Sequence, residues 1–112
     1  MLNQQPSLGR IFRALGDPTR RAIVEQLSHG EASVSQIAKP MPVSLAAIMQ
    51  HVQILEASGL ISTRKRGRLR LCALETRSLS VLEGWIAQRR ETRKADFDRL
   101  GTLLNDERQI EK

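Results

Sequence analysis

The fold of this chain is decided by residues 33–60, which read SVSQIAKPMPVSLAAIMQHVQILEASGL. Ser33 and Gln36 have the spacing of a helix capping box, which predicts that a short helix begins there. Pro40 and Pro42 end this helix, because proline cannot continue the backbone hydrogen bonding. The residues predicted to face inward are Val34, Ile37 and Ala38. The stretch therefore opens with a short helix and a tight turn.

A longer helix follows the turn. Ser44 is a favourable N-cap, and Gly59 is a typical stop because glycine tolerates the left-handed conformation found at helix ends. The apolar stripe predicted to be buried between them comprises Leu45, Ile48, Val52 and Leu55. A short helix, a tight turn and a longer capped helix are typical of a helix-turn-helix.

Two helices are predicted before this pair. The first has an apolar face and ends at Gly16. Asp17 then caps the second helix, and Pro18 fits its first position, where a missing N–H costs nothing. Gly30 closes this second helix. The two apolar faces comprise Leu8, Ile11, Phe12 and Leu15 in the first helix, and Ala22, Ile23 and Leu27, with Val24 as a further candidate, in the second.

Downstream of the helix pair the period of the apolar pattern changes. Residues 60–65 and 69–74 are predicted to form two short strands around Arg66-Gly67-Arg68. The second strand is apolar on both faces, so the pattern does not decide which face is buried. A long last helix begins at Thr76 or Ser78. The predicted fold class is mainly α with a small β-hairpin, a winged helix-turn-helix of order α-α-α-α-β-β-α.

Composition restricts the function. The 112 residues fit one domain, predicted to span residues 1–112, and a net charge of +6 favours a polyanion, nucleic acid ahead of an anionic membrane surface. No apolar run approaches the ~20 residues of a membrane span, so no membrane association is expected. One cysteine and no secretory signal pattern indicate a cytoplasmic location. Two histidines and no glycine-rich phosphate loop leave no catalytic constellation, so neither enzyme activity nor a cofactor is expected.

The predicted hairpin carries a run of positive charge. Five basic residues occupy seven positions with no acid among them: Arg64, Lys65, Arg66, Arg68 and Arg70. A narrow tip with Gly67 at its turn can lie along a phosphate backbone or enter a minor groove. The other interpretation is a solvated charged loop. Beside a helix-turn-helix, we favour a DNA-contacting wing.

The outer face of the longer helix is the predicted base reader. Glutamine can bond to adenine, and alanine and methionine can contact thymine methyl groups. An ordinary solvated helix face usually carries lysine and glutamate, whereas this one is small and almost uncharged. The residues predicted to contact DNA are Ser44, Ala46, Ala47, Met49, Gln50, His51 and Gln53.

The sequence leaves two possible roles open for each of two residues, His51 and Cys72. His51 lies at the edge of the reading face, where it either contacts DNA or packs and caps within the fold. Cys72 is either a buried strand residue that behaves as a small hydrophobe or a redox-sensing thiol. A single thiol cannot form a dithiol switch within one chain.

Three stretches resemble the ArsR-type family of winged-helix repressors: ALGDPTRRAI at 14–23, SLAAIMQHVQILEASGL at 44–60 and TRKRGR at 63–68. The resemblance extends over most of the chain. It implies a homodimer formed through the first and last helices, at about residues 8–16 and 77–104. It also implies repression of a promoter, often that of the protein's own operon.

The resemblance also bears on metals. Many members of the family release DNA when a metal binds cysteines on the third helix. The matching stretch here has Ser33 and Ser35 at those positions, and the last helix holds no histidine. No metal is therefore expected, and the chain is more similar to the non-metal, SdpR-like branch.

Together these features predict sequence-specific binding of double-stranded DNA by a homodimer, with repression at a palindromic operator. The residues expected at the dimer interface are Leu8, Ile11, Phe12, Leu82, Trp85, Ile86, Phe97 and Leu100. Two alternatives stay open. One is a basic protein-interaction module whose hairpin binds acidic partners, and the other is a thiol-responsive regulator that uses Cys72.

Overall fold

The computed structural model describes residues 7–110, and their side chains as far as residue 104. The elements in chain order are α1 (Leu8–Leu15), α2 (Pro18–Leu27), β1 (Ala32–Ser33), α3 (Val34–Ala38), α4 (Leu45–Ser58), β2 (Ile61–Arg66), β3 (Leu69–Leu74) and α5 (Thr76–Ile110). The predicted winged helix-turn-helix is confirmed, with β1 as an additional strand. The ends of the predicted domain, residues 1–6 and 111–112, lie outside the described residues.

Local side-chain caps set the ends of the helices as predicted. Asp17 caps α2, and Ser33 forms a reciprocal capping box with Gln36 at the start of α3. Ser44 caps α4, and Gly59 ends it with a φ of 87°, in the left-handed region that favours glycine. These residues act within one turn of the chain, so the ends of the helices do not depend on distant contacts.

The sheet has three antiparallel strands in the order β1-β3-β2. β1 pairs Ala32 with Cys72 and Ser33 with Leu71, and it was not predicted because two residues are too few to show a strand period. β2 runs from Ile61 rather than from the predicted residue 60. Successive residues of a strand point to opposite faces. Leu71 and Cys72 are both buried, so β3 is covered on both sides at this point.

The core of the first part of the chain draws on α1 to α4 and on the hairpin. Its largest fully buried apolar side chains are Ile11, Ile23, Ile37, Ile48, Val52, Leu55, Leu60, Ile61 and Cys72. Two predictions are corrected here. Leu45 is 53% exposed, because it lies in the first turn of α4, before the helix reaches the core. Ile11 is 0% exposed, because its side chain packs into this core, and it therefore cannot belong to a dimer interface.

The chain divides into two compact units after Val81. The first unit contains α1 to β3 and the start of α5, where the hydroxyl of the buried Ser78 donates to the carbonyl of Gly59. The second unit is the remainder of α5, in which most described side chains are exposed. Among the residues described, no helix is both long enough and apolar enough to span a membrane.

Candidate nucleic-acid interface

Arg20 on α2 fixes the position of α4. Its Nε donates to the carbonyl of Ala14 at 2.7 Å, and its Nη2 donates to the carbonyl of Arg13 at 3.3 Å. Its Nη1 lies 3.3 Å from Nδ1 of His51, which is on α4. The planar guanidinium presents its donors in a rigid fork, so one side chain links α1, α2 and α4.

Asp17 completes this cluster. Its Oδ2 accepts a hydrogen bond of 3.0 Å from the backbone N–H of Arg20 and lies 3.9 Å from Nδ1 of His51. The backbone hydrogen bond holds the pKa of the Asp17 carboxyl below its usual value, and the nearby His51 and Arg20 side chains act in the same direction. The contacts of His51 support the packing interpretation of this residue, and its contact with DNA stays a prediction.

The predicted reading face lies on the solvent side of α4. Its exposed members are Ser44, Ala46, Gln50 and Gln53, and its half-buried members are Ala47, Met49 and His51. The opposite side of the helix carries the core residues Ile48, Val52 and Leu55. Neutral amides and small apolar groups are suited to base edges rather than to phosphates.

The hairpin presents all five of its basic residues to solvent. Arg64 Nη2 lies 3.0 Å from Glu31 Oε1, and Arg70 Nη2 lies 3.9 Å from Glu56 Oε1. In the strand register Arg70 lies opposite Lys65, and Arg64 lies one position further from the turn. The ion pairs seen in the described part of the chain leave Lys65, Arg66 and Arg68 without a carboxylate partner, so their charge is available to a ligand.

Glu56 connects α4 to both long strands of the hairpin. Its Oε2 accepts a hydrogen bond of 2.6 Å from Oγ1 of Thr63 on β2, and its Oε1 is the partner of Arg70 on β3. Both strands of the wing are therefore joined to the reading helix by one carboxylate. This places an uncharged reading face and a cationic tip in the same unit.

The positions that bear on metals and thiol chemistry have structural roles in the fold. Ser33 is 3% exposed, and its Oγ accepts a hydrogen bond of 3.2 Å from the backbone N–H of Gln36. Among the described residues, no group of three or more His, Cys, Asp or Glu is placed to hold a metal ion. Cys72 is fully buried. Burial raises the pKa of its thiol, and the opposing effect of Arg70 is smaller.

The two units each carry apolar residues at the surface. Of the predicted interface residues, Leu8 and Leu82 are half-buried, whereas Phe12, Trp85, Ile86, Phe97 and Leu100 are exposed. Leu103 and Leu104 are also exposed and continue the apolar surface of α5 beyond the predicted interface residues. Two aromatic rings on α5 make cation–π contacts. The Arg89 guanidinium lies 5.1 Å from the Trp85 ring centroid, and the Arg93 guanidinium lies 5.2 Å from the Phe97 ring centroid.

Sequence reasoning missed the residues that hold the site together. Arg20 lies in the run DPTRR, three residues after a predicted N-cap, but its contact with His51 joins positions 31 residues apart. Glu56 and Glu31, the acids that flank the wing, are likewise distant from their arginines in sequence. A basic run shows where charge is concentrated but not which acids fold beside it.

Comparisons with known proteins agree with this geometry. A family model described as a helix-turn-helix domain matches residues 10–64. The HTH-type transcriptional regulator Rv2034 of Mycobacterium tuberculosis is 41% identical over 73 residues, which cover 65% of this chain and 68% of the relative. The transcriptional repressor SdpR of Bacillus subtilis is 30% identical over 79 residues, which cover 70% of this chain and 88% of the relative.

Solved structures show the same similarity. A crystal structure of an ArsR family transcriptional regulator matches with a TM-score of 0.75 at 44% identity, covering 82% of this chain and 98% of that one. The solution structure of a homodimeric winged helix-turn-helix DNA-binding domain from Mycobacterium bovis matches with a TM-score of 0.61 at 26% identity. That match covers 74% of this chain and 80% of the other.

Proposed function

Because this chain belongs to the ArsR-type family of winged helix-turn-helix transcriptional regulators, we propose that it binds a palindromic operator as a homodimer and represses transcription from there. A regulator of this family binds DNA and is not an enzyme. We assign base reading to α4, phosphate binding to the hairpin and dimerisation to α5.

The observation that carries the proposal is the contrast between two neighbouring surfaces of the first unit. The outer face of α4 offers the amides of Gln50 and Gln53, which can bond to adenine edges in a major groove. The hairpin tip offers Lys65, Arg66 and Arg68, whose charges suit phosphate oxygens. Glu56 fixes the base of the hairpin to α4, so both contacts form together when the protein docks on a duplex.

Dimerisation is supported by the apolar surface of α5. Phe97 is 58% exposed and Leu100 is 51% exposed, and contiguous apolar surface of this kind usually marks an interaction site. A second copy of the chain is the proposed occupant, in keeping with the homodimeric domain from Mycobacterium bovis. A two-fold dimer presents two reading helices about 10 base pairs apart, or a multiple of that, and so requires a palindrome.

Repression follows if the dimer occupies DNA that the polymerase needs. The similarity to SdpR, whose name is that of a transcriptional repressor, favours repression over activation. A thiol-responsive mode is not favoured, because Cys72 is buried and its thiol pKa is raised, which disfavours the reactive thiolate.

Selection of bound duplexes from a random pool, combined with light scattering, tests the proposal. We expect an imperfect palindrome and a dimer at micromolar concentration. Ile86→Arg should give a monomer that binds the selected site about a hundredfold more weakly, because the two half-sites no longer act together. Gln88→Arg adds the same charge at an exposed polar position of α5 and should remain dimeric. A monomeric native protein, or a selected site without a dyad, would contradict the proposal.

A further inference from the structure

Two leucine side chains near the proposed DNA surface are left open to solvent. Leu45 begins α4 and is 53% exposed, and Leu69 begins β3 and is 49% exposed. Leucine is usually buried, and these two are the most exposed of the large apolar side chains described in the first unit. Both residues line one depression of about 140 Å³, so they form a single patch on the first unit.

The depression combines an apolar lining with a cationic rim. Met49 lies one turn after Leu45 on the same side of α4 and also lines it. Arg68 and Arg70 border it from the hairpin. The lining also includes two serines, and its apolar side chains beside the two arginines are complementary to an apolar group that lies close to phosphates.

We propose that this depression receives the 5-methyl group of a thymine in the major groove, with Leu45 as the principal contact. The proposal rests on the proposed function, in which α4 reads the bases. In helix-turn-helix proteins the first residues of the recognition helix contact base edges, and Leu45 is the first residue of α4. Thymine is the one base that presents an apolar group in that groove, and leucine can recognise no other base feature there.

A second copy of the chain is a less suitable occupant of this depression. Arg68 and Arg70 would face the same arginines of a symmetric partner, and like charges brought together oppose association. The exposed apolar surface of α5 carries the proposed dimer contact instead. DNA supplies both the methyl group and the negative charge that the rim requires.

The proposal is tested by replacing single thymines of the selected operator with deoxyuridine, in both half-sites at once. Deoxyuridine keeps its base pair and lacks only the methyl group. At one thymine position, the native protein should lose about fourfold in affinity for each half-site, the effect of removing one buried methyl group. Leu45→Ala should bind the thymine operator more weakly and show no further loss with deoxyuridine at that position.

Ile54→Ala is the matched control. Ile54 is 45% exposed on the same helix but lines a different depression, beside Arg10 and Arg13, so this variant should keep the full deoxyuridine penalty. Absence of a penalty at every thymine of the native complex overturns the inference without any variant. A penalty that persists in Leu45→Ala also overturns it. If selection enriches no sequence at all, the proposed function itself fails and this inference fails with it.

Discussion

The reading helix and the wing belong to one unit but are held in different ways. α4 buries Val52 and Leu55 almost completely and is joined to α1 and α2 through Arg20. No residue from 64 to 70 is buried. The ion pairs of the wing are surface pairs, which typically contribute about 0–1 kcal/mol each. The element proposed to read bases is therefore packed into the core, whereas the tip proposed to bind phosphate has no buried residue.

This difference matches the error in side-chain position that each type of contact tolerates. A bidentate bond from an amide to a base requires its side chain to be placed within about 0.5 Å, which a packed helix can provide. Attraction between a guanidinium and a phosphate decreases gradually with distance and is screened by salt. We infer that specificity depends on the packing of α4 and that affinity depends on the charge of the wing.

The largest effect on the affinity for DNA of any sequence is expected from the wing. Replacing Arg66 and Arg68 together by alanine removes four proposed phosphate contacts per dimer. The plot of log affinity against log salt concentration should become shallower by about 3.6, which corresponds to on the order of 100- to 1000-fold in affinity at physiological salt. Specific and nonspecific DNA should lose affinity alike. Titrations on operator and scrambled duplexes at several salt concentrations measure both quantities.

Arg10→Ala is a suitable control for the wing variant. Arg10 is an exposed arginine on α1, so its replacement removes charge while leaving the hairpin intact. We expect a much smaller change in the salt dependence. An unchanged slope in the double wing variant would show that the tip does not contact phosphate, and the contrast between wing and reading helix would then fail.

The next effect concerns base reading by α4. Gln50→Ala should weaken binding to the preferred sequence by about 1–3 kcal/mol for each half-site, because a bidentate contact to one base is lost. Binding to scrambled DNA and the salt dependence should stay nearly unchanged. Competition between operators that differ at one base pair identifies the position at which preference is relaxed. Equal weakening on both duplexes would assign Gln50 to the backbone and not to a base.

A smaller effect is expected when the support of the reading helix is altered. Arg20→Ala removes the donors to Ala14 and to His51, and the free energy of unfolding should fall by about 1–3 kcal/mol, the usual contribution of hydrogen bonds from a charged group. Operator binding should weaken several-fold more than nonspecific binding, because α4 is less well placed. Thermal melting and paired titrations measure these changes.

Arg20→Lys tests whether the contact of Arg20 with α1 and α4 depends on the shape of the side chain or on its charge alone. Lysine keeps the positive charge but lacks the planar fork, so it should restore little of the discrimination between operator and scrambled DNA. Full rescue by lysine would indicate that charge alone suffices at this position. The packing of α4 would then not depend on the contact with His51.

The parts of the fold that the sequence predicted are those fixed by local interactions. Asp17, Ser33 and Ser44 each cap a helix within three residues of their own position, so their pattern is readable along the chain. The strand β1 and the Arg20–His51 contact depend on partners tens of residues away. Nothing in a local pattern identifies such partners.

The apolar periodicity of a helix also does not show which part of the molecule covers an apolar side chain. Ile11 and Phe12 share the predicted face of α1, yet Ile11 is fully buried in the core and Phe12 is 43% exposed. Leu45 continues the stripe of α4 by spacing, but it lies in the first turn and remains open to solvent. The periodicity of apolar residues shows on which face of a helix a side chain lies. The neighbouring elements decide whether that side chain is covered by the core, by a partner or by DNA.

The smallest effect is expected from metal ions. The resemblance to metal sensors of the family implies that Ser33 and Ser35 stand where those sensors carry thiolates, and a neutral hydroxyl is a poor ligand for a thiophilic ion. Ser33 also accepts the capping hydrogen bond of α3 and pairs with Leu71 in the sheet, so a metal there would have to disrupt both. Stoichiometric zinc, cadmium or arsenite should therefore change operator affinity by less than about twofold, as followed by anisotropy of the preformed complex.

A weakening of about tenfold at one ion per protomer would contradict this expectation. It would also show that a ligand can displace the region that joins α3 to the hairpin. The base of the wing would then be less firmly held than the contrast between the reading helix and the wing tip assumes.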